Sequence, residues 1–359
     1  MTGKKSPPGP EGVLLVAIMK NEAPYILEWV SHYLALGVED FLIFSADCND
    51  GTDLMLERLD RLGYLRHSPN PKRILHQIPS WQVGALRYAS TFNRFQDAKW
   101  VLTVDADEFV DVTPGKHRLA DLFDAAEPFD LMSFTVLGHN CNNVRGIGDG
   151  KVQGVFTRPM TEFSDYSDPA KNTLASVKTI MRNPQPDAAF RNHRPRFNDF
   201  SSTGQRWVNG SGRVLPPEFT NNKVNSIQAT DSMAMARVNH YSLRSMDSFL
   251  VKVNRGDPLR GNGASLDKKT ISVAMDYWLG RNVGLDNTPI HHHVPDGYSE
   301  ILGDLSKDPI LSELHERALD IHARTVRQVL DSEGGQRLAE AMGYFNASGT
   351  ASGPIKGVA

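Results

Sequence analysis

The residues best able to do chemistry are Asp105 and Asp107, which stand with Glu108 directly after the apolar run 100–104. Two carboxylates two residues apart at the end of a buried strand can point into one site for a hard cation. Oxygen ligands of this kind suit Mg²⁺ or Mn²⁺, ions that also coordinate a substrate diphosphate. An isolated Asp-x-Asp reads more readily as two solvated acids in a turn, so the loops around it matter. Asn21 and Glu22 follow the apolar run 13–19, and Asp47 and Asp50 follow the run 41–44. In a parallel sheet the loops after the strands share one edge, where ligands bind, and an acid beyond an early strand commonly holds the sugar or base of a nucleotide. Asp47 and Asp50 also suit turn and capping positions. Three such loops together favour a nucleoside-diphosphate site. Neither a Gly-x-Gly-x-x-Gly after the first strand nor a Gly-x₄-Gly-Lys-Ser/Thr occurs, so dinucleotide and P-loop readings lose their main support.

The elements that must position these residues alternate. Strands are predicted over 13–19, 41–44, 73–78 and 100–104, with helices over 25–36, 52–62 and 81–96 between them. Glycines 37 and 63 close the first two helices. Short connections in this order make a mostly parallel sheet with helices on both faces. Further strands are expected over 131–137, 176–181 and 234–239. The Gly/Asn-rich segment 138–150 can shape an acceptor pocket, 183–225 is long and irregular, and 257–266 reads as a lid or a plain loop. His291-His-His293 lies between prolines 289 and 295. Consecutive histidines point to alternate faces, which favours a solvated loop over a metal site. From Asp308, a natural N-cap ahead of Pro309, an apolar stripe predicts a helix that packs on the core or on a second subunit, with a membrane-surface role the lesser option.

Composition narrows the classes. The chain has 359 residues, 23% of them charged, with a net charge of −3, so no basic surface points to nucleic acid. Two cysteines, Cys48 and Cys141, make no disulfide framework and fit a reducing compartment. The run 13–19 is too short to span a bilayer, and 1–11 lacks a signal-peptide core. The expectation is a cytoplasmic protein without a transmembrane segment, with peripheral contact at the inner face of the membrane left open.

Several motifs resemble a known family. Met19-Lys-Asn-Glu-Ala-Pro-Tyr-Ile-Leu-Glu-Trp-Val opens like a branch of the family 2-like glycosyltransferases that itself resembles the family 92 enzymes. Asp47-Cys-Asn-Asp-Gly-Thr52 is similar to that branch's nucleotide loop, and Val104-Asp-Ala-Asp-Glu-Phe109 to its DxD-Glu-Phe metal motif. Asn239-His-Tyr, followed by Lys252 and by Arg255-Gly256, resembles its His-Tyr…Lys…Arg-Gly segment. The similarity spans roughly 13–260.

The resemblance implies a GT-A fold, α/β and Rossmann-like, with a C-terminal helical extension. Together with the composition of the ends and the apolar stripe after Asp308, it divides the chain into a disordered start (1–12), a nucleotide-sugar-binding half (13–130), an acceptor-side half (131–298), the helical extension (299–346) and a disordered tail (347–359). It implies a hexosyltransferase-type enzyme that moves sugar from a nucleoside diphosphate sugar, UDP-linked above others, to a hydroxyl on a carbohydrate, lipid-linked or protein acceptor. The ion would be Mn²⁺ or Mg²⁺, with inversion expected by analogy. Asp47 would contact the base, Asp105 and Asp107 the ribose side and the metal, and His240 would be a third ligand. Asn21 and Glu22 would edge the donor site, Lys252 and Arg255 would neutralise the leaving diphosphate, and Arg87 would reach the base or phosphates. His240 also reads as a buried strand-end histidine, and the three cations as surface charges. Inversion needs a base to deprotonate the acceptor; Asp199 is the first candidate, with Glu162, Asp165, Asp187 and His193 as the others. The alternatives are a nucleotidyltransferase, which usually carries a Gly-rich basic loop after its first strand, and a non-catalytic nucleotide-sugar or carbohydrate binding protein.

Overall fold

Seven apolar residues form β1 (Val13–Met19), which is almost wholly buried, as a central parallel strand covered on both faces must be. A single 3-10 turn over Ala23–Tyr25, with Pro24 inside it, leads into α1 (Ile26–Leu36), and Gly37 ends that helix at a φ of 99°. All of α1 is buried, not one stripe of it, because α9 (Tyr298–Ser306) covers the side away from the sheet. Some of its polar groups find partners inside the protein, while Ser31 Oγ and His32 Nδ1 have none among the described residues. His32 bonds the Val110 carbonyl through Nε2, and the Glu28 carboxylate accepts from the Val152 and Gln153 amides. The computed structural model that shows this describes residues 12–73, 77–78, 80–161, 174–185, 187–256 and 266–347. The expectations for both termini, for Glu162 and Asp165, and for all but the end of 257–266 lie outside those residues.

The chain continues through β2 (Asp40–Ser45), α2 (Thr52–Arg61), β3 (Arg66–Pro69), α3 (Trp81–Ala89), α4 (Asn93–Asp97), β4 (Trp100–Thr103), β5 (Glu108–Val112), α5 (Leu119–Ala125) and β6 (Leu131–Gly138). The irregular middle holds β7 (Leu174–Ala175), β8 (Val177–Arg182), β9 (Ala188–Ala189), β10 (Arg196–Phe197), β11 (Trp207–Asn209), the short α6 (Pro217–Thr220), β12 (Ile227–Gln228) and β13 (Ala236–His240). Helices α7 (Met246–Arg255), α8 (Lys268–Leu279), α9, α10 (Pro309–Asp331) and α11 (Glu333–Ala341) follow.

The main sheet runs β3-β2-β1-β4-β8-β6-β13-β5, with β11 also paired to β6. Strands β3, β2, β1 and β4 are mutually parallel, and β6, β11 and β13 share their direction; β8 and β5 run against the rest. Helices flank the sheet, so the architecture is the α/β one expected, with a mostly parallel central sheet. No helix among the described residues is long and apolar enough to cross a membrane.

Three local expectations are corrected. The third strand is 66–69, shortly after Gly63 as the edge partner of β2; of the expected 73–78, Arg73 is in a 3-10 turn, 77–78 are not in a strand, and 74–76 lie outside the described residues. The single helix over 81–96 is two, separated at 90–92, where the Ser90 and Thr91 hydroxyls bond back to carbonyls one turn earlier. The triple histidine is not a freely solvated loop. Asp111, in β5, pairs with Arg237 and accepts from His293 Nδ1 at 2.8 Å, while the His292 ring meets the Tyr241 hydroxyl at 2.7 Å.

Candidate active site

The acidic motif is a turn between two strands of opposite direction. β4 ends at Thr103 and the chain reverses over 104–107. Glu108 then begins β5, its carboxylate accepting from the Asp105 amide at 2.8 Å. Strand β8 lies beside β4 and brings in Lys178, whose side chain is fully buried with Nζ 2.9 Å from both Asp105 Oδ2 and Glu108 Oε2. Asn192 bridges the same pair, accepting from Lys178 and donating to Asp105, and Gln82 approaches the other Asp105 oxygen at 3.4 Å. Burial, the largest influence, pushes the Asp105 carboxyl up, but Lys178 and Asn192 together hold the group below the usual range. Glu108, in the same ion cluster, is raised by its burial. The Asp105 carboxylate is thus engaged by neighbouring side chains while remaining 35% exposed, against 17% for Asp107.

Asp107 is placed differently. Its carbonyl accepts from the Tyr241 amide at 2.8 Å, and its carboxylate faces His240 at 3.5 Å and Lys252 at 3.3 Å. The pairing of β13 with β5, which sets His240 opposite Glu108, brings the imidazole there; α7 brings Lys252. Burial alone would raise Asp107, but Lys252 and His240 hold it well below its ordinary value. The Asp107 carboxylate raises His240 in turn, against its burial.

Asp107 opens into a cavity of about 760 Å³ whose lining includes Lys20, Asn21, Asp47, Asn49, Lys252 and Arg255. The loop after β1 is pinned to the loop after β2 by reciprocal bonds between Asn21 and Asn49 and by Asp50, which accepts from the Ala23 amide. Glu22 lies beneath, clamped by Arg244 at 2.7 Å and Arg255 at 2.8 Å, and the two guanidiniums outweigh its burial and lower its pKa. Arg255 also donates to the carbonyls of Lys20 and Asn21. Three non-glycine residues around the cavity, Asn21, Asp47 and Arg244, have φ of 53°, 45° and 56°. Positive φ is costly for side chains, above all for arginine, and such strain concentrates at functional sites.

The sequence-predicted residues therefore divide. Asn21, Asp47, Asp107, Lys252 and Arg255 line one cavity; Asp105, Glu22 and His240 are not part of its lining, although His240 faces Asp107 and Glu22 pairs with Arg255. Arg87 is exposed and lines a separate depression with Phe190 and Met181. Asp199 sits in an exposed turn, its carboxylate bonded to the Ser201 amide and hydroxyl, and Asp187 is likewise exposed. Lys178 and Arg244 were not anticipated. A lone lysine in the apolar strand Val177–Arg182 was the available signal for the first; nothing in the sequence marked the second.

No three His, Cys, Asp or Glu side chains among the described residues converge into a ready metal cage. Asp107 with His240 would offer a carboxylate and an imidazole, ligand types that Mn²⁺ accepts.

Residues 16–200 match the family model described as glycosyltransferase family 92. A glycosyltransferase family 92 protein of Oryza sativa subsp. japonica is 26% identical over 105 residues, covering 29% of this chain and only 17% of the relative. Among solved structures, S. aureus TarS 1-349 is 13% identical with a TM-score of 0.30, covering 88% of this chain and 90% of that one. Its complex with UDP is 15% identical with a TM-score of 0.29 over the same shares.

Proposed function

Because this chain belongs to glycosyltransferase family 92, we propose that it transfers a sugar from a nucleoside diphosphate sugar, with UDP the first nucleotide to test, to a hydroxyl acceptor. The observation that carries the reading is the cavity at the strand-end edge, where Asp107 meets Lys252 and Arg255. As the sugar–phosphate bond breaks, negative charge grows on the diphosphate, and fixed cations aimed at that charge lower the barrier. Lys252 is held by the Ser242 carbonyl and Arg255 by the loop after β1, so both are positioned before the donor arrives. Asp107, with His240 beside it, would hold Mn²⁺ or Mg²⁺, which supplies Lewis-acid neutralisation of the leaving group.

For the base, His193 is proposed ahead of Asp199: both are exposed and neither lines the cavity, but His193 adjoins the acid cluster. His193 neighbours the acid cluster: its carbonyl accepts from Thr179, and its Nδ1 lies 3.2 Å from the Val177 carbonyl. A carbonyl can only accept, so Nδ1 carries the proton and Nε2 keeps its lone pair. Desolvation, then Lys178, lower the pKa and keep the ring neutral. His193→Gln should bind donor normally and lose about 10²-fold or more in transfer, while Asp199→Asn should turn over as wild type. The reverse pattern in a transfer assay returns the role to Asp199.

The reading as a whole is tested by calorimetric titration of UDP, GDP, ADP and CDP and their sugars, each with Mn²⁺ and with EDTA. Metal-dependent binding of one nucleotide is expected. A folded protein that binds none of them would leave the acidic turn structural and end the transferase reading.

A further inference from the structure

The C-terminal helix α10 is more than a cover for the core. Its residues Ala318, Ile321, His322, Thr325 and Gln328, one face at steps of three and four, line the same cavity as Asp107 and Lys252. The helix is fixed in that position. Asp308 caps it, accepting from the Leu311 amide at 3.0 Å, and pairs with Arg58 of α2; the helix also packs on α7 and on the 3-10 turn after β1.

Within this wall, His322 is 8% exposed, and its Nε2 is buried with no hydrogen-bond partner among the described residues. A buried polar atom left unmade costs stability, so leucine at this position would pack better if the nitrogen served nothing. Its charged neighbour does not take it up. The Arg244 guanidinium is committed to Glu22 and the Ala106 carbonyl and lies over the Tyr25 ring. Burial first, then Arg244, push the ring down to about 4, so it is neutral and offers one donor and one acceptor nitrogen. Beside it, Ile321 is apolar, and the Thr325 hydroxyl donates to the Ile321 carbonyl while keeping lone pairs to accept with. A mixed wall of this kind, in a cavity of nucleotide size that also holds Asp107 and Lys252, suits a nucleoside diphosphate.

We propose that α10 is one wall of the donor site and that His322 hydrogen-bonds through Nε2 to the bound nucleoside diphosphate, an inference that rests on the transferase reading above. The test titrates wild type, His322→Leu and His322→Gln with UDP, GDP, ADP and CDP in Mn²⁺, with thermal unfolding measured alongside. For the nucleotide that wild type binds, His322→Leu should raise Kd about tenfold or more with Tm unchanged or higher. His322→Gln, which keeps a donor and an acceptor, should recover part of the affinity. A folded His322→Leu that binds like wild type overturns the proposal, as does a lowered Tm with unchanged Kd, which would make the residue purely structural. Absence of binding in wild type itself is a separate result: it removes the transferase reading, and this inference with it, before any variant is compared.

Discussion

Lys178→Met should cost about 3–5 kcal/mol of folding stability, the range for breaking a buried ion pair by removing one partner. The ammonium is fully buried and is shared by Asp105 and Glu108. Methionine fills much of the volume but leaves two carboxylates facing each other without a counter-charge. The Glu108 carboxylate also accepts the Asp105 amide, so the turn itself loses its pin as the acids separate. The loss is read from the shift of the denaturant midpoint. Adding Glu108→Gln to Lys178→Met removes one orphaned charge and should recover part of it, a coupling that independent sites would not show. A single variant less than about 1 kcal/mol weaker than wild type would mean that the cluster is hydrated and that its burial is not what holds the turn.

The largest effect on activity is expected at Asp107. Its carboxylate holds Lys252 and His240 at the cavity edge, whereas its contribution to the fold, the carbonyl that accepts from Tyr241, belongs to the backbone. Asp107→Ala should therefore fold normally, lose Mn²⁺-dependent donor binding and lower transfer by about 10²–10³ or more, the scale for removing one preorganised charge-stabilising group. Donor titration with and without EDTA, beside a transfer assay, separates the two losses. Unchanged donor binding and normal turnover would remove Asp107 from the site. Asp105, the more exposed of the two aspartates, is also engaged by Lys178, Asn192 and Gln82, so its replacement should cost stability as well.

What was legible in the sequence is what local pattern and chain order encode. The uninterrupted apolar run of β1, the Pro24 and Gly37 punctuation of α1, and the three polar strand-end loops all stand where the alternating pattern put them, because a parallel sheet permits few other arrangements. Strand β5 was missed because Glu108 and Asp111, which interrupt its apolar pattern, are buried charges whose partners come from β8, β13 and the 291–293 segment. The role of α10 was illegible for a related reason. Its stripe obeys one helical period whether the face meets a core, a subunit or a ligand, and only the tertiary packing on α2 and α7 distinguishes them. Arg244 gave no signal, since an arginine at positive φ is written in its surroundings and not in its type.

The position of β8 has a kinetic side. It pairs antiparallel with β4 on one flank and β6 on the other, although both precede it in the chain. As the polypeptide is made, β4 and β6 exist before the strand that joins them, and each has an open hydrogen-bonding edge until β8 enters. Such long-range insertion is slow, and open apolar edges invite pairing with other chains. The same strand carries Lys178, so the acidic turn acquires its counter-charge only when the two parts of the sheet are joined. Nascent chains should thus be vulnerable to aggregation from the synthesis of β6 until β8 has arrived and, for the other edge of β6 and for β5, until β13 has.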